Sequence, residues 1–98
     1  MSDPLAILAA LSDRTRLGAI QLLWDGRERC VCELMELLGA SQSRMSRHLA
    51  QLKAVGLVVD RRDAQWVRYR RHPAIPKPVA RIVAAVLAAL PAASRQAA

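Results

Sequence analysis

The sequence predicts a mainly α-helical fold with a β-hairpin wing, that is, a winged helix-turn-helix that assembles as a homodimer. Three observations predict this fold. Apolar residues recur at helical spacing over the first 55 residues and again near the C-terminal end. Only Gly39 and Ala40 separate two of the predicted helices, which is the spacing of a helix-turn-helix. Two short segments with strand-like composition between Gly56 and Pro73, 57–59 and 66–70, indicate a hairpin.

Capping and helix-breaking residues mark the ends of five predicted helices. Asp3 is expected to cap the first helix and Ser41 the fourth. The second helix ends before Gly26, and the third begins near residue 31 or 32 and ends at Gly39. The last helix is expected over 79–90, after a segment broken by prolines.

The two strands of the hairpin are predicted at 57–59 and 66–70. The turn around 63–65 contains no glycine, so a loop longer than two residues is expected. Trp66 and Tyr69 are expected to pack the hairpin onto the helices rather than to stack on bases. An RNA-binding sheet needs several exposed aromatic residues, and this chain has only three in all.

The length of 98 residues allows one small domain, 1–98, with an ordered core over about 5–90 and a frayed tail over 91–98. A hydrophobic content of 53% excludes a disordered chain, and the scarcity of aromatic residues predicts an aliphatic core. No apolar run reaches the ~20 residues of a membrane span. A cytoplasmic protein with no membrane partner is therefore expected.

The positive charge is concentrated in one third of the chain. The formal net charge is +7, and the segment 41–72 carries eight basic residues against two acidic ones. A basic segment of this kind indicates contact with a nucleic-acid backbone. The alternative is an ordinary solvated surface whose arginine content reflects a GC-rich genome.

The fourth helix has the composition of a DNA-reading helix. Its apolar face carries Met45, Leu49 and Leu52, and no acidic residue occurs from Ser41 to Val59. Small and polar residues on the other face suit the major groove of double-stranded DNA, although such a face can also simply meet water. His48 is expected to pack or to contact a phosphate rather than to bind a metal. The predicted DNA contacts on this helix and on the hairpin are Ser41, Gln42, Ser43, Arg44, Ser46, Arg47, His48, Arg61, Arg62, Arg68 and Arg70.

The last helix has more apolar surface than one side of a small domain needs to bury. Together with the first helix it predicts a two-fold interface formed by Leu5, Ile7, Leu8, Val79, Ile82, Val83, Val86, Leu87 and Leu90. A dimer would place two reading helices at half-sites about one helical turn of DNA apart.

The only cysteines, Cys30 and Cys32, form a Cys-x-Cys pair that favours metal binding or redox chemistry in a reducing cytosol. Soft thiolates suit As(III) and Sb(III), and Arg27, Arg29 and the helix N-terminus are expected to favour the thiolate form. Residues i and i+2 of a regular helix project roughly 200° apart, so the two thiols converge only where the chain is extended or unwound. Two small structural residues, or a strained adjacent disulfide, are the alternatives.

Several motifs together resemble the ArsR/SmtB family, and within it the arsenic-responsive repressors. They are the run Cys30–Leu34, the run Ser41–Lys53 with its core Ser46-Arg47-His48-Leu49, the triplet Gly56-Leu57-Val58, and the segments Asp60–Arg62 and Trp66–Arg70. The resemblance covers about 5–90. It implies a homodimeric winged-helix repressor that leaves its operator DNA when As(III) or Sb(III) binds Cys30 and Cys32.

The sequence departs from the arsenical pattern at Met35, where that pattern has a third cysteine. A thioether is a weaker donor than a thiolate, and we expect Met35 to pack in the core. The segment 79–90 contains no His, Cys, Asp or Glu, the residue types with which other family members bind divalent metals on the last helix. The natural inducer, a third ligand and the operator sequence are left open.

Three other functions are compatible with the residues. One is a regulator with a redox or divalent-metal inducer, and another is a winged-helix architectural module with no inducer. The third is a thiol-exchange enzyme, which we do not expect, because the chain lacks a Cys-x-x-Cys motif, a glycine-rich loop and a carboxylate pair.

Overall fold

The computed structural model describes residues 3–91, which form five helices and one three-stranded antiparallel sheet. In chain order the elements are α1 (Pro4–Leu11), α2 (Arg14–Leu23), β1 (Arg29–Cys30), α3 (Val31–Leu38), α4 (Gln42–Ala54), β2 (Val58–Asp63), β3 (Trp66–Arg71) and α5 (Lys77–Ala88). The predicted winged helix-turn-helix is confirmed. The predicted frayed tail, apart from Pro91, lies outside the described residues.

Side chains cap the helices where the sequence predicts caps. The carboxylate of Asp3 accepts a hydrogen bond from the N–H group of Ala6 at 2.9 Å, and the Ser41 hydroxyl accepts one from Arg44 at 3.3 Å. Each bond satisfies a backbone donor that has no partner inside its helix. Asp13 caps α2 in the same way.

An aliphatic core holds the helices against one face of the sheet. The largest fully buried side chains are Ile7, Ile20, Leu23, Leu34, Met45, Leu49, Leu52, Leu57, Val58 and Val83. Each such side chain stabilises the fold by about 1.5–3 kcal/mol relative to an exposed position. Because three of them come from α4, the core fixes which face of that helix points outward.

The last helix differs from its prediction in position and orientation. It begins at Lys77 rather than at residue 79, because Pro78 is tolerated within the first helical turn. Val79 and Val83 are only 9% and 0% exposed, and they face the core of their own protomer, as Ile7 does. Assigning these three residues to a dimer interface is therefore wrong.

The hairpin turn is shorter than predicted. Asp63 pairs with Trp66, so only Ala64 and Gln65 lie between β2 and β3. Ala64 has a φ of 56°, the left-handed conformation that a two-residue hairpin turn requires. Alanine adopts it at a cost of about 1–2 kcal/mol. The expected longer loop is wrong because the strand pairing extends to Asp63 and Trp66 and closes the turn.

The side chain of Trp66 does not pack onto the helices. It is 45% exposed and lies outside the hydrophobic core, which contradicts its prediction. Tyr69 is buried in the core, as predicted, and Val67 packs against the core. The alternation of side chains along β3 turns Val67 and Tyr69 inward and Trp66 outward.

A short strand, β1, adds a third member to the sheet, in the order β1-β3-β2. Arg29 pairs with Tyr69, and Cys30 pairs with Arg68. The sequence did not predict β1, because two residues are too few to show an alternating pattern. This pairing connects the segment before α3 to the wing, which we define as β2, β3 and their turn.

Candidate DNA interface and thiol site

The N-terminal half of α4 presents a polar, acid-free surface. Its buried residues Met45 and Leu49 orient the helix, and most of the predicted DNA contacts on the opposite side are exposed. The exposed residues are Ser41, Gln42, Ser43, Arg44, Ser46 and Arg47. A helix with this surface fits the major groove, where small residues avoid clashes and hydroxyl, amide and guanidinium groups bond to base edges and phosphates.

A basic cleft of about 290 Å³ lies beside this surface, between the N-terminal ends of α2 and α4, and is lined by Asp13, Arg16, Arg44, Arg47, His48 and Gln51. Arg16 donates a hydrogen bond to the Ala10 carbonyl at 2.6 Å and lies 3.3 Å from the His48 ring. His48 is half-buried, with its other ring nitrogen 3.9 Å from the Asp13 carboxylate. His48 therefore connects α4 to α2. Its predicted DNA contact stays a prediction.

The Asp13 carboxylate at the edge of the cleft is held in its charged form. A hydrogen bond from the Arg16 N–H group lowers the pKa of Asp13, and the nearby charges of His48 and Arg16 lower it further against the opposing effect of burial. The sequence reasoning did not single out Arg16. Arg16 reaches α4 through its contact with His48, which lies 32 residues farther along the chain, and no local sequence pattern reveals such a contact.

Two of the predicted wing arginines are held by acidic partners. Arg61 binds both carboxylate oxygens of Glu28, at 2.7 and 2.8 Å. Arg68 contacts Asp63 at 3.0 Å. Contact of either guanidinium with a phosphate would require these ion pairs to be exchanged.

The other two predicted wing arginines have no such partner. Arg62 is exposed and Arg70 is half-buried, and within 3–91 neither side chain forms an ion pair or hydrogen bond. Arg62 is therefore the wing arginine that is most accessible to a phosphate.

The two cysteines lie at the start of α3, one outside the helix and one inside it. Cys30 is the N-cap residue, with extended backbone at φ −67° and ψ 146°, and its sulfur accepts a hydrogen bond from the Cys32 N–H group at 3.3 Å. The Cys30 N–H group in turn donates to the Glu33 carboxylate at 3.2 Å, which completes a capping box. Cys30 is buried and Cys32 exposed. The extended backbone that lets two such thiols converge is present at Cys30.

The surroundings of the pair favour a thiolate on Cys30. Burial acts to raise the pKa of the Cys30 thiol, but three hydrogen bonds and a nearby positive charge outweigh burial and lower that pKa below its ordinary value. The hydrogen bonds come from the Cys32 side chain and from the N–H groups of Cys32 and Glu33, and the charge is that of Arg68. The hydrogen bond between the two cysteine side chains raises the pKa of the Cys32 thiol.

The positive charge that lowers the pKa of Cys30 comes from Arg68, for which the sequence predicted only a DNA contact. Arg27 pairs with Asp25, and Arg29 pairs with Glu33. Arg68 is brought to Cys30 by the pairing of β1 with β3. The N–H groups at the start of α3 lower the pKa of Cys30, as expected, whereas Arg27 and Arg29 are not among the main causes of the shift. Arg68 was not expected in this role because β1 was not predicted.

Among the described residues, the two thiols have no third side chain placed beside them as a metal ligand. Within 3–91 there is no group of three or more His, Cys, Asp and Glu side chains placed to hold a metal ion. Met35 is half-buried and packs against the core, as predicted.

Among the described helices, none is both long and apolar enough to cross a membrane.

Comparison with known proteins gives a family match and close relatives. The profile described as "Bacterial regulatory protein, arsR family" matches residues 13–59. The arsenic resistance transcriptional regulator ArsR2 of Pseudomonas putida is 49% identical over 78% of this chain. The arsenical resistance operon repressor of Escherichia coli is 45% identical over 82% of it. The chain spans 66% and 68% of the lengths of these two relatives.

Solved structures share the fold. Reduced HlyU from Vibrio cholerae aligns with a TM-score of 0.72 at 34% identity, covering 84% of this chain and 82% of that one. The homodimeric winged helix-turn-helix DNA-binding domain Mb0332 from Mycobacterium bovis, a possible ArsR-family transcriptional regulator, aligns with a TM-score of 0.70 at 32% identity, covering 86% and 74%. These relatives include transcriptional regulators and a DNA-binding domain.

Proposed function

This chain belongs to the arsR family of bacterial regulatory proteins, and on that premise we propose that it is a metalloid-responsive transcriptional repressor. It binds operator DNA as a homodimer and releases it when As(III) or Sb(III) binds the thiolates of Cys30 and Cys32. The observation that carries the proposal is the position of this thiol pair at the start of the helix that precedes the reading helix. Cys30 caps that helix and lies in the strand that pairs with the wing, and Cys32 lies in the first turn of the helix.

Each protomer contacts one half-site of the operator. The N-terminal half of α4 enters the major groove, with Gln42, Ser43 and Arg47 at base edges, and the basic cleft beside Arg44 receives a phosphate. The free guanidinium of Arg62 on the wing pairs with the backbone alongside. The full contact set is the one predicted above, with Arg61 and Arg68 entering only if their acidic partners release them.

The dimer joins α1 and α5 of the two protomers. Leu5 and Leu8, three residues apart and therefore on the same side of α1, are 76% and 44% exposed and together form an apolar surface. On α5 and just beyond it, the apolar residues that we assign to the same interface are the half-buried Ile82, Val86, Leu87 and Leu90. Covering these side chains in a two-fold interface completes a core that is small for an isolated domain. The solved structure of a homodimeric relative with the same fold supports a dimer for this chain.

Metalloid binding is a ligand exchange at the two sulfurs. In arsenous acid, As(OH)₃, each sulfur forms a bond to arsenic and displaces one hydroxyl, which leaves as water with the proton of that thiol. The third hydroxyl stays on arsenic unless another donor replaces it. Thiolate character on Cys30 favours the first bond, and the exposure of Cys32 allows it to reach the same atom.

Binding disrupts the cap of α3. The Cys30 sulfur accepts a hydrogen bond from Cys32 when no metalloid is present, and bonding to arsenic removes this acceptor. Strain then reaches α4 through Gly39 and Ala40, the short turn in which Gly39 has a φ of 65° and Ala40 is buried. The same strain reaches the wing through the pairing of Cys30 with Arg68. Both DNA-binding elements are therefore displaced by one event.

A gel-shift titration tests this function. A promoter duplex with a palindromic site is bound by the wild-type protein and then titrated with As(III), Sb(III), Cd(II), Zn(II) or hydrogen peroxide. We expect As(III) and Sb(III) to release the duplex, and we expect Cys30→Ser and Cys32→Ser to bind it but not release it. Release by Zn(II) or by peroxide alone would instead support a divalent-metal or redox inducer, and no release by any of them would support a module without an inducer.

A further inference from the structure

The tip of the wing carries an exposed aromatic side chain, Trp66. Of the three aromatic residues in the chain, Tyr69 is buried and Trp24 is half-buried beneath the guanidinium of Arg71 at 3.7 Å, whereas Trp66 is 45% exposed. Exposing so large an apolar ring to water is unfavourable, and exposed tryptophans are enriched among residues that become covered on binding. The exposed indole is therefore a candidate contact for a binding partner.

The surroundings of Trp66 identify the chemistry of that partner. Trp66 and Asp63 face each other across the last strand pair, and Asp63 is occupied by the ion pair with Arg68 at 3.0 Å. Arg62, on the other face of the two-stranded ribbon, is exposed and forms no ion pair within 3–91, and Gln65 in the turn is exposed. The tip thus combines an indole, an amide and an available guanidinium without an unpaired carboxylate. This combination suits a polyanion with apolar surfaces, which describes the sugar-phosphate walls of DNA.

The position of the hairpin relative to α4 fits the same partner. The Lys53 ammonium near the end of α4 contacts the Asp60 carboxylate on β2 at 3.0 Å, so the base of the wing is fastened beside the reading helix. Three residues of β2 extend beyond this contact, which carries the tip roughly 10 Å farther. When α4 lies in the major groove, the neighbouring groove within that reach is the minor groove. A hairpin that enters the minor groove places each of its two faces against one wall of the groove.

We infer that Trp66 is a DNA contact, whose indole packs against the deoxyribose rings of the minor groove flanking the half-site, while Arg62 pairs with a phosphate of the opposite wall. This inference rests on the proposed function, since it requires operator binding. Sugar C–H groups cover the ring, and the indole N–H remains available to an acceptor at the groove edge. The contact adds affinity that depends on groove width rather than on a hydrogen-bond code.

Tryptophan fluorescence tests the contact directly. Trp24→Phe leaves Trp66 as the only tryptophan and keeps an aromatic ring under Arg71, and Trp66→Phe is the matched control that reports Trp24 alone. On addition of the promoter duplex, we expect the emission of the Trp24→Phe protein to move to shorter wavelength and its quenching by acrylamide to fall at least about twofold, because the ring becomes covered. The Trp66→Phe protein should show neither change.

Affinity measurements separate this inference from the proposed function. We expect Trp66→Ala to weaken binding of the promoter duplex about 5- to 30-fold with an unchanged salt dependence, since the indole contacts no phosphate. Arg62→Gln should reduce the slope of affinity against salt by about one unit. If the wild-type protein binds the duplex but Trp66 stays equally quenchable and Trp66→Ala binds as tightly, this inference alone fails. If Trp66 becomes covered on raising the protein concentration without DNA, the ring belongs to a protein interface and the inference is overturned; no DNA binding by wild type overturns both.

Discussion

Arg61 on the wing and Glu28 before β1 form a bidentate ion pair, with N–O distances of 2.7 and 2.8 Å. The two residues are 33 positions apart in the chain. Glu28 lies two residues before Cys30, and Arg61 pairs across the hairpin with Arg68, whose charge acts on the Cys30 thiol. A residue expected to contact DNA is thus joined to the segment that carries the thiol site. The pair thus links β2 of the wing to the segment that precedes Cys30.

Breaking this ion pair should change DNA binding more than stability. Glu28→Gln releases Arg61, and an ion pair at the protein surface contributes little to folding because water and salt screen it. We expect tighter binding of the promoter duplex at low salt and a salt slope steeper by about one unit, because a free guanidinium gains a phosphate contact. Fluorescence anisotropy against salt concentration measures both. Asp25→Asn, which releases Arg27 from an ion pair away from the wing, is the matched control, and an equal slope in the Glu28→Gln and wild-type proteins would refute the expectation.

The thiol pair should titrate as a unit in which Cys30 loses its proton first. The folded-state pKa of Cys30 is lowered, so its ionisation stabilises the fold fully above the ordinary cysteine pKa, and that stabilisation is lost as pH falls through the lowered value. The pKa of Cys32 is raised by its hydrogen bond to Cys30. We therefore expect Cys30→Ser to shift alkylation of Cys32 by iodoacetamide to lower pH, as followed by mass spectrometry. A shift to higher pH would contradict the assignment of the thiolate to Cys30.

The proposed dimer predicts that a charge placed in its interface converts the protein to a monomer. Leu8→Glu places a charge in the α1–α5 surface, and we expect it to give a folded monomer by light scattering and circular dichroism at micromolar concentration. Because one molecule then binds only one half-site, we expect the affinity for the promoter duplex to fall by about tenfold or more. This is the loss expected when bivalent binding becomes monovalent. Leu37→Glu is the matched control, since Leu37 is 49% exposed on α3, outside that surface. Retention of the dimer mass by Leu8→Glu would place the interface elsewhere.

Relieving the backbone of the wing turn should stabilise the protein. Ala64 has a φ of 56°, which glycine adopts without the penalty that a Cβ atom imposes. We expect Ala64→Gly to raise the free energy of unfolding in urea by about 0.5–1 kcal/mol, the strain relief exceeding the added flexibility of the unfolded chain. Ala84→Gly, an exposed position within α5, should lower it by about 1 kcal/mol. A lower unfolding free energy for Ala64→Gly would mean that the turn is not strained.

Local sequence signals predicted the helical part of the fold. The Asp3 and Ser41 caps, the α3–α4 turn at Gly39 and the buried face of α4 each depend on residues within one or two helical turns. Such patterns are set by backbone hydrogen bonding and by which side chains can be buried together. The exposed residues at the start of α4 follow directly from them.

Features that depend on distant partners were beyond these signals. The strand β1 exists only because β3 pairs with it, and this pairing brings the charge of Arg68 to the Cys30 thiol. The exposure of Trp66 depends on how the hairpin turn closes at Ala64. Val79 and Val83 look as suitable for an interface as their neighbours do, and only the packing of α5 turns them into the protomer core.

The central claim is that capture of a metalloid by both thiols releases the reading helix and wing from DNA. Fluorescence anisotropy of a labelled promoter duplex, bound by wild-type protein or by the Cys30→Ser, Cys32→Ser double variant and titrated with arsenite, tests it most directly. We predict that arsenite returns the anisotropy of the wild-type complex to that of free duplex and leaves the double-variant complex intact. Release of the duplex from the double variant at the same arsenite concentration would contradict the account.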